Sequence, residues 1–377
     1  MRKKEGFSLV ELIVAMAIFI IIIGIPYKMF VNELRTALQE SSKAGTELES
    51  VPSVEIIRKD IEMAGYGLPW YLDNSTIYKE TNTKNFPLYS KKMKASLFND
   101  APNDPPRAIV GKKDDKENGF SYLVLKGAIF GLNKASEHWT YIDNNNNLNI
   151  WPKNDASNYN NIEKEDRVII LSADEKRKLI YDILGFYFRV DKDASELETD
   201  PFSYGLPDDL PRSVYLIYGI DTSDIRAPFN RVDYFLNDGS NDPDKCADGT
   251  HTLERAVMRQ SDGAIVSHPL LHCVADFQVY FGVDENNNGL IDKSEWIQDL
   301  TSKDAEYIRK NLKQVRVYIL MQVGRKDNHY TFDNSTFYVG DEKIKIGRTF
   351  DLSSNIKDYQ HYRWKLIKLI AIPRNLE

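Results

Sequence analysis

Residues 6–27 read GFSLVELIVAMAIFIIIIGIPY, and this stretch decides how the rest of the chain is interpreted. Residues 12–27 carry no charged side chain, and the whole stretch is long enough for a membrane-spanning helix, which needs about 20 apolar residues. Three basic residues at positions 2–4 precede it, so the positive-inside rule predicts a cytoplasmic start and an exported remainder. No small-residue cleavage site follows the apolar run, which argues against an ordinary secretory signal.

One carboxylate, Glu11, lies inside this apolar segment, where a charge is expensive and therefore points to a function. Together with Gly6 and Phe7 it completes the string GFSLVEL, which resembles the type IV prepilin signature. The resemblance implies that a prepilin peptidase cuts after Gly6 and that Phe7 becomes the N-methylated mature terminus. It also implies that Glu11 neutralises the terminal ammonium of a neighbouring pilin during assembly. A plain signal anchor is the alternative, and it does not account for Glu11.

A helical pattern continues beyond the apolar span, with Leu34, Leu38, Ile57 and Ile61 at near-helical spacing among polar residues. Pro52 is expected to kink this helix or to divide it in two. The glycines and proline of residues 65–69 are expected to end it. The turn AGYG at residues 64–67 resembles the end of the spine helix in PilW-like minor pilins. The predicted segments are a leader (1–6), a transmembrane and spine helix (7–67) and a head (68–377).

Beyond residue 68, short apolar runs alternate with loops rich in Asn, Asp, Gly and Pro, which predicts a β-rich, largely antiparallel head and hence an α+β fold class. A helix is predicted at residues 294–312, and residues 191–211 are either a boundary between two β subdomains or a long loop. The PilW resemblance is specific over about the first 67 residues and looser at 250–257, 274–284 and 362–375. The candidate strands are 120–130, 167–171, 179–190, 213–220, 231–236, 251–258, 272–283, 314–323, 335–339 and 362–372.

Residues 284–295, DENNNGLIDKSE, fit the consensus of a calcium loop of the EF-hand type. Gly289 would provide the sharp turn, and a strand rather than a helix is predicted to enter the loop, so one isolated loop with a structural Ca²⁺ is expected. The alternative is a polar turn without metal. The expected oxygen ligands are Asp284, Asn286, Asn288, the carbonyl of Leu290, Asp292 through water, and Glu295.

The chain has two cysteines, Cys246 and Cys273, and both lie in the part predicted to be exported. An oxidising compartment favours a disulfide between them. Free thiols are one alternative. A zinc site with the nearby histidines is another, but the spacing matches no zinc pattern.

The formal net charge of -7 argues against a nucleic-acid binder, and no catalytic motif is present, so no enzymatic activity is expected. The PilW resemblance implies a minor pilin of low copy number in the tip or priming complex of a type IV pilus. It would reside in the inner membrane before assembly and in the extracellular pilus afterwards. Its implied partners are other minor and major pilins, the prepilin peptidase and the inner-membrane assembly platform. The alternatives are a J-like minor pseudopilin of a type II secretion system and a pilus-tip adhesin.

Overall fold

The computed structural model of the protein describes residues 8–81, 93–115, 119–152, 160–182, 185–195, 198–207, 210–237 and 245–376. A long apolar helix, α1 (Leu9–Met63), is followed by antiparallel β-sheets, which confirms the predicted α+β class. Two short helices, α2 (Ala305–Asn311) and α3 (Leu352–Asn355), lie in the second half of the head.

The helix α1 runs without interruption over 55 residues, or about 83 Å at the usual rise per residue. Pro26 and Pro52 both lie inside it, so Pro52 does not divide the helix. Pro52 has no backbone N–H, so one helical hydrogen bond is missing at this position. Ser50 and Ser53, on either side of it, are both buried against the head, and this packing stabilises the helix there. Further along, Ile57 and Ile61 are completely buried and bring the last turns of α1 onto the sheet.

The main sheet, in the described part of the chain, has the order β1-β2-β7-β8-β9-β11-β14, with β10 pairing β9 as an eighth strand. Its strands are β1 (Ile109–Lys113), β2 (Ser121–Gly127), β7 (Asn230–Asn237), β8 (His251–Met258), β9 (Ile265–Val283), β10 (Trp296–Ile297), β11 (Leu312–Val323) and β14 (Arg363–Ala371).

The 19-residue strand β9 pairs with different strands along its length. Its first half pairs with β8, and its second half pairs with β11 on one side and with β10 on the other. The chain then leaves β10 and bonds to β1, where Leu300 donates its backbone N–H to the carbonyl of Gly111. We call residues 298–311 the strap, because this segment links β9 to the edge strand β1.

A smaller sheet is inserted between β2 and β7, in the order β3-β6-β4-β5. It has its own buried core, which includes Ile142, Ile170, Tyr204 and Ile217. The described parts of residues 191–211 lie between β5 and β6 of this one sheet, and Pro201–Tyr204 among them form a 3-10 turn. The strands are β3 (Trp139–Ile142), β4 (Arg167–Ser172), β5 (Phe188–Arg189) and β6 (Tyr215–Asp221).

The hairpin of β12 (Thr336–Asp341) and β13 (Ile346–Asp351) packs on the main sheet. Arg348 of β13 reaches the completely buried carboxylate of Asp276 on β9, with 2.6 Å between Nη2 and Oδ1. The hairpin thereby supplies the charge partner that a buried carboxylate requires.

The prediction of a helix over residues 294–312 is wrong for most of that range. The chain there forms a short 3-10 turn (Lys293–Glu295), then β10 and the strap, and only the seven residues of α2 are helical. Backbone pairing of Trp296 and Ile297 with β9 replaces the helical hydrogen bonds that the local sequence favoured. Strands β1, β3 and β13 were not predicted, and β9 begins seven residues earlier than expected.

Candidate functional site

The start of α1 is closed by reciprocal hydrogen bonds between Ser8 and Glu11. The hydroxyl of Ser8 accepts from the backbone N–H of Val10, and the Glu11 carboxylate accepts from the backbone N–H of Ser8 at 3.0 Å. This capping box places the Glu11 carboxylate in the first helical turn, where the helix dipole favours an anion. Gly6 and Phe7 lie outside the described residues.

The first half of α1 projects away from the head. Large apolar side chains such as Ile13, Phe19 and Ile22 are more than half exposed, and within the described residues α1 is the helix long and apolar enough to cross a membrane. This surface needs an apolar environment or partner helices, because a soluble protein rarely exposes so large a patch.

The second half of α1 is fixed to the head by polar contacts along its length. Near its end Asp60 accepts hydrogen bonds from the hydroxyl of Tyr234 at 2.6 Å and from Nε of Arg255 at 2.7 Å. This anchor was not predicted from the sequence. The signal for it in the sequence was Asp60, a carboxylate on the same helix face as the buried Ile57 and Ile61.

Strand β14 runs beside α1 and is linked to it in matching order. Glu47 pairs with Lys365 at 3.1 Å, and Arg58 donates to the carbonyl of Ile370 at 2.8 Å. The carbonyl of Glu62 then accepts the backbone N–H of Arg374 at 3.1 Å. The helix and the strand therefore point in the same direction.

The turn after α1 has little space for side chains. Gly65 and Gly67 both have positive φ, +88° and +63°. A Cβ atom on Gly65 would lie 2.8 Å from the carbonyl oxygen of Asn375, and one on Gly67 would lie 2.8 Å from Cβ of Ala128. Both the backbone conformation and the close approach of neighbours therefore require glycine here.

The backbone of the predicted calcium loop is hydrogen-bonded to the side chain of its first residue, Asp284. The two carboxylate oxygens of Asp284 accept backbone N–H groups of Asn288 and Gly289 at 3.1 and 2.9 Å. Gly289 has φ +79°, which provides the sharp turn expected at that position. The side-chain oxygens of Asn286 and Asn288 each accept a backbone N–H two residues further on, from Asn288 and Leu290.

The far end of the loop is closed by Glu295, which is almost completely buried. Its two oxygens accept backbone N–H groups of Glu285 and Asp292, at 3.1 and 2.8 Å. Across the described residues, no three His, Cys, Asp or Glu side chains are grouped so that they could hold a metal ion by themselves. A cation in this loop would therefore depend on amide and carbonyl oxygens as well as on carboxylates.

Cys246 and Cys273 are joined by a disulfide, with their Cα atoms 5.0 Å apart. It ties the segment that leads into β8 to the middle of β9. Because the bond uses both sulfur atoms, these cysteines are not available for zinc.

Two family models match the chain. The model described as Prokaryotic N-terminal methylation motif matches residues 1–25, and the model described as Type IV Pilus-assembly protein W matches residues 233–368. No curated protein and no solved structure matches the chain.

The two matches fall on the two parts of the molecule described above. The methylation motif covers the capped, exposed start of α1, and the second match runs from β7 to β14 of the main sheet, which contains the anchor of α1 and the calcium-type loop. Both families consist of structural proteins. The chain is a PilW-like type IV pilin, a minor pilin involved in pilus assembly.

Proposed function

We propose that this minor pilin acts at low copy number in the tip or priming complex of the pilus. The prepilin peptidase would cut after Gly6, and the helix would hold the protein in the inner membrane with its head outside. Its partners would be other minor and major pilins and the inner-membrane assembly platform. The size of the head, residues 68–377, supports a tip position, because such bulk would crowd a densely packed shaft.

The observation that carries the assembly role is the position of Glu11 at the capped start of the apolar, exposed first half of α1. The first test is the substitution Glu11→Ala. We expect the variant to insert into the membrane normally but to be largely absent from sheared pili, since the partner of a neighbouring ammonium is lost. Glu33→Ala, an exposed glutamate on the same helix, is the matched control and should be incorporated normally. Normal incorporation of Glu11→Ala would contradict the proposal.

Deletion of the gene distinguishes the pilus from a secretion system. We expect fewer surface pili and unchanged secretion of exoproteins. Normal piliation together with lost secretion would favour a J-like pseudopilin instead.

We also propose that the loop of residues 284–295 binds Ca²⁺ in a structural role. The consensus spacing, the positive φ of Gly289 and the burial of Asp284 and Glu295 at its two ends support this proposal. The loop connects β9 to β10 and the strap, so a bound cation would stabilise the link between β9 and the edge strand β1.

A further inference from the structure

A cleft of about 680 Å³ opens between three segments of the head that are distant in sequence. One wall is the loop after α1 with Trp70, the second is the segment that contains Ser96 and Asp104, and the third is the strap with Ser302 and Arg309. This volume lies within the range of small-molecule binding sites.

Arg309 is the unusual side chain of this cleft. Its guanidinium lies 4.9 Å from the ring centroid of Trp70, and that of Arg177 lies 4.2 Å from the same centroid. Burial lowers the pKa of Arg309; the charges of Glu306 and Asp304 act against this shift, and the charge of Arg177 adds to it. Within the part of the chain that the structure describes, Arg309 has neither an ion pair nor a hydrogen bond. A half-buried guanidinium next to a second one, with open donors, favours an anion.

The other cations at this cleft are already engaged. Arg107 donates to the Asp100 carboxylate and to the carbonyls of Thr301, Leu97 and Asn99. Lys303 pairs with Glu285, the second residue of the calcium-type loop. Arg107 and Lys303 therefore already have partners, and Arg309 is left to meet a ligand.

The rim also constrains what kind of anion can enter. Asp104, Asp304 and Glu306 line the cleft and are exposed, so a ligand with several negative charges would be repelled. The exposed hydroxyls of Ser96 and Ser302 and the Asp104 carboxylate suit a partner that offers many hydroxyl groups. A sugar with a single carboxylate meets both requirements.

We propose that this cleft binds a sugar acid, whose carboxylate pairs with Arg309 and whose hydroxyls bond to Ser96, Ser302 and Asp104. A carboxylate matches the planar fork of an arginine in a bidentate arrangement, which gives direction as well as charge. Binding of a sugar acid would be separate from the assembly role and independent of the tip position.

The test uses the full-length protein in an uncharged detergent and two probes, methyl β-D-glucuronide and methyl β-D-glucoside. They differ only in a carboxylate that replaces a hydroxymethyl group. We expect the glucuronide to bind with a Kd on the order of 1 mM, measured by calorimetry and by saturation-transfer NMR. The glucoside should bind at least about tenfold more weakly, because it lacks the charge-assisted hydrogen bonds.

Arg309→Gln should weaken glucuronide binding by about tenfold or more. Lys368→Gln is the matched control, because it removes the same charge from an exposed residue of β14 that does not line the cleft. Melting curves establish that the variants are folded, and Arg309→Lys, which keeps the charge but not the fork, replaces Arg309→Gln if that variant does not fold. Equal binding of the two probes, unchanged binding by the Arg309 variant, or no glucuronide binding at about 20 mM would overturn the proposal.

Discussion

The carboxylate of Asp60, near the end of α1, accepts a hydrogen bond of 2.6 Å from the hydroxyl of Tyr234 in the main sheet. Burial, and then the charge of Asp60, raise the pKa of this tyrosine well above its ordinary value. The hydroxyl therefore remains a donor across the physiological pH range. The same carboxylate pairs with Arg255, so one side chain of the helix joins two neighbouring strands of the head, β7 and β8.

Asp60→Asn should loosen this junction. Because Arg255 is partly exposed, the loss should be less than that of a fully buried pair, about 2 kcal/mol of unfolding free energy. Denaturant titration of the full chain in detergent, followed by tryptophan fluorescence, measures the change. The control Glu55→Gln removes an exposed charge from the same helix and should change the stability by less than about 0.5 kcal/mol. A similar loss for both variants would rule out a specific anchor.

The disulfide should contribute strongly to the stability of the head. The two cysteines are separated by 27 residues, and closing a loop of that length in the unfolded chain corresponds to about 3.5 kcal/mol. We expect the double variant Cys246→Ala/Cys273→Ala to show a loss of this size in denaturant titration. Non-reducing mass spectrometry of the wild-type protein provides the direct test, since two free thiols would contradict the bond.

Calcium should stabilise the head if the loop of residues 284–295 binds it. With neutral Asn ligands we expect a Kd of about 0.1–1 mM, so 10 mM Ca²⁺ should raise the unfolding free energy by roughly 1.4–2.7 kcal/mol. Calorimetry and melting curves measure both quantities. Glu295→Gln should abolish the effect, and Glu285→Gln, which changes a loop residue outside the ligand set, should retain it. If the wild-type protein shows neither heat nor a shift in melting, the calcium proposal fails.

The smaller sheet should lose stability as the pH rises. His138 and Asp166 are both buried, and Nδ1 of the histidine lies 2.7 Å from Oδ2 of the carboxylate. Burial lowers the pKa of His138, but the hydrogen bond and the charge of Asp166 outweigh it and raise the pKa above its ordinary value.

A histidine with a raised folded-state pKa contributes stability that is fully present below its unfolded pKa, about 6.5, and is lost as the pH rises through the folded value. His138→Gln should therefore destabilise the protein more at pH 5.5 than at pH 8.5. Melting curves at the two pH values check this, and a larger effect at pH 8.5 would contradict the assigned direction.

The mature N-terminus is the most direct test of processing. We expect mass spectrometry of protein from pili or membranes to find an N-methylated Phe7. An intact Met1 would exclude the prepilin pathway.

Much of this architecture could be predicted because it depends on local patterns. Strand β8 was predicted with its observed bounds, since residues 251–258 carry β-branched and apolar residues between turn signals. The end of α1 was predicted from Gly65 and Gly67, whose positive φ is a local property.

The remaining features depend on contacts between distant residues. No residue near Trp296 in the sequence indicates that this segment pairs with β9 as a strand. The helical pattern of residues 294–312 was therefore misleading. The cleft around Arg309 could not be predicted either, because its walls come from three segments separated by up to about 240 residues. The sequence likewise did not predict that the smaller sheet is inserted between β2 and β7, because this follows only from the pairing of those two distant strands.

The same-direction arrangement of α1 and β14 has a mechanical consequence. The links from Glu47 to Lys365 and from Arg58 to Ile370 are spaced by about 16 Å along both the helix and the strand. A force along the helix axis therefore loads these links simultaneously, in shear, and not one after another. Strand β14 in turn passes the force to β11 over nine paired residues. Tension on α1 is thus carried directly into the main sheet and bypasses the glycine turn that follows α1.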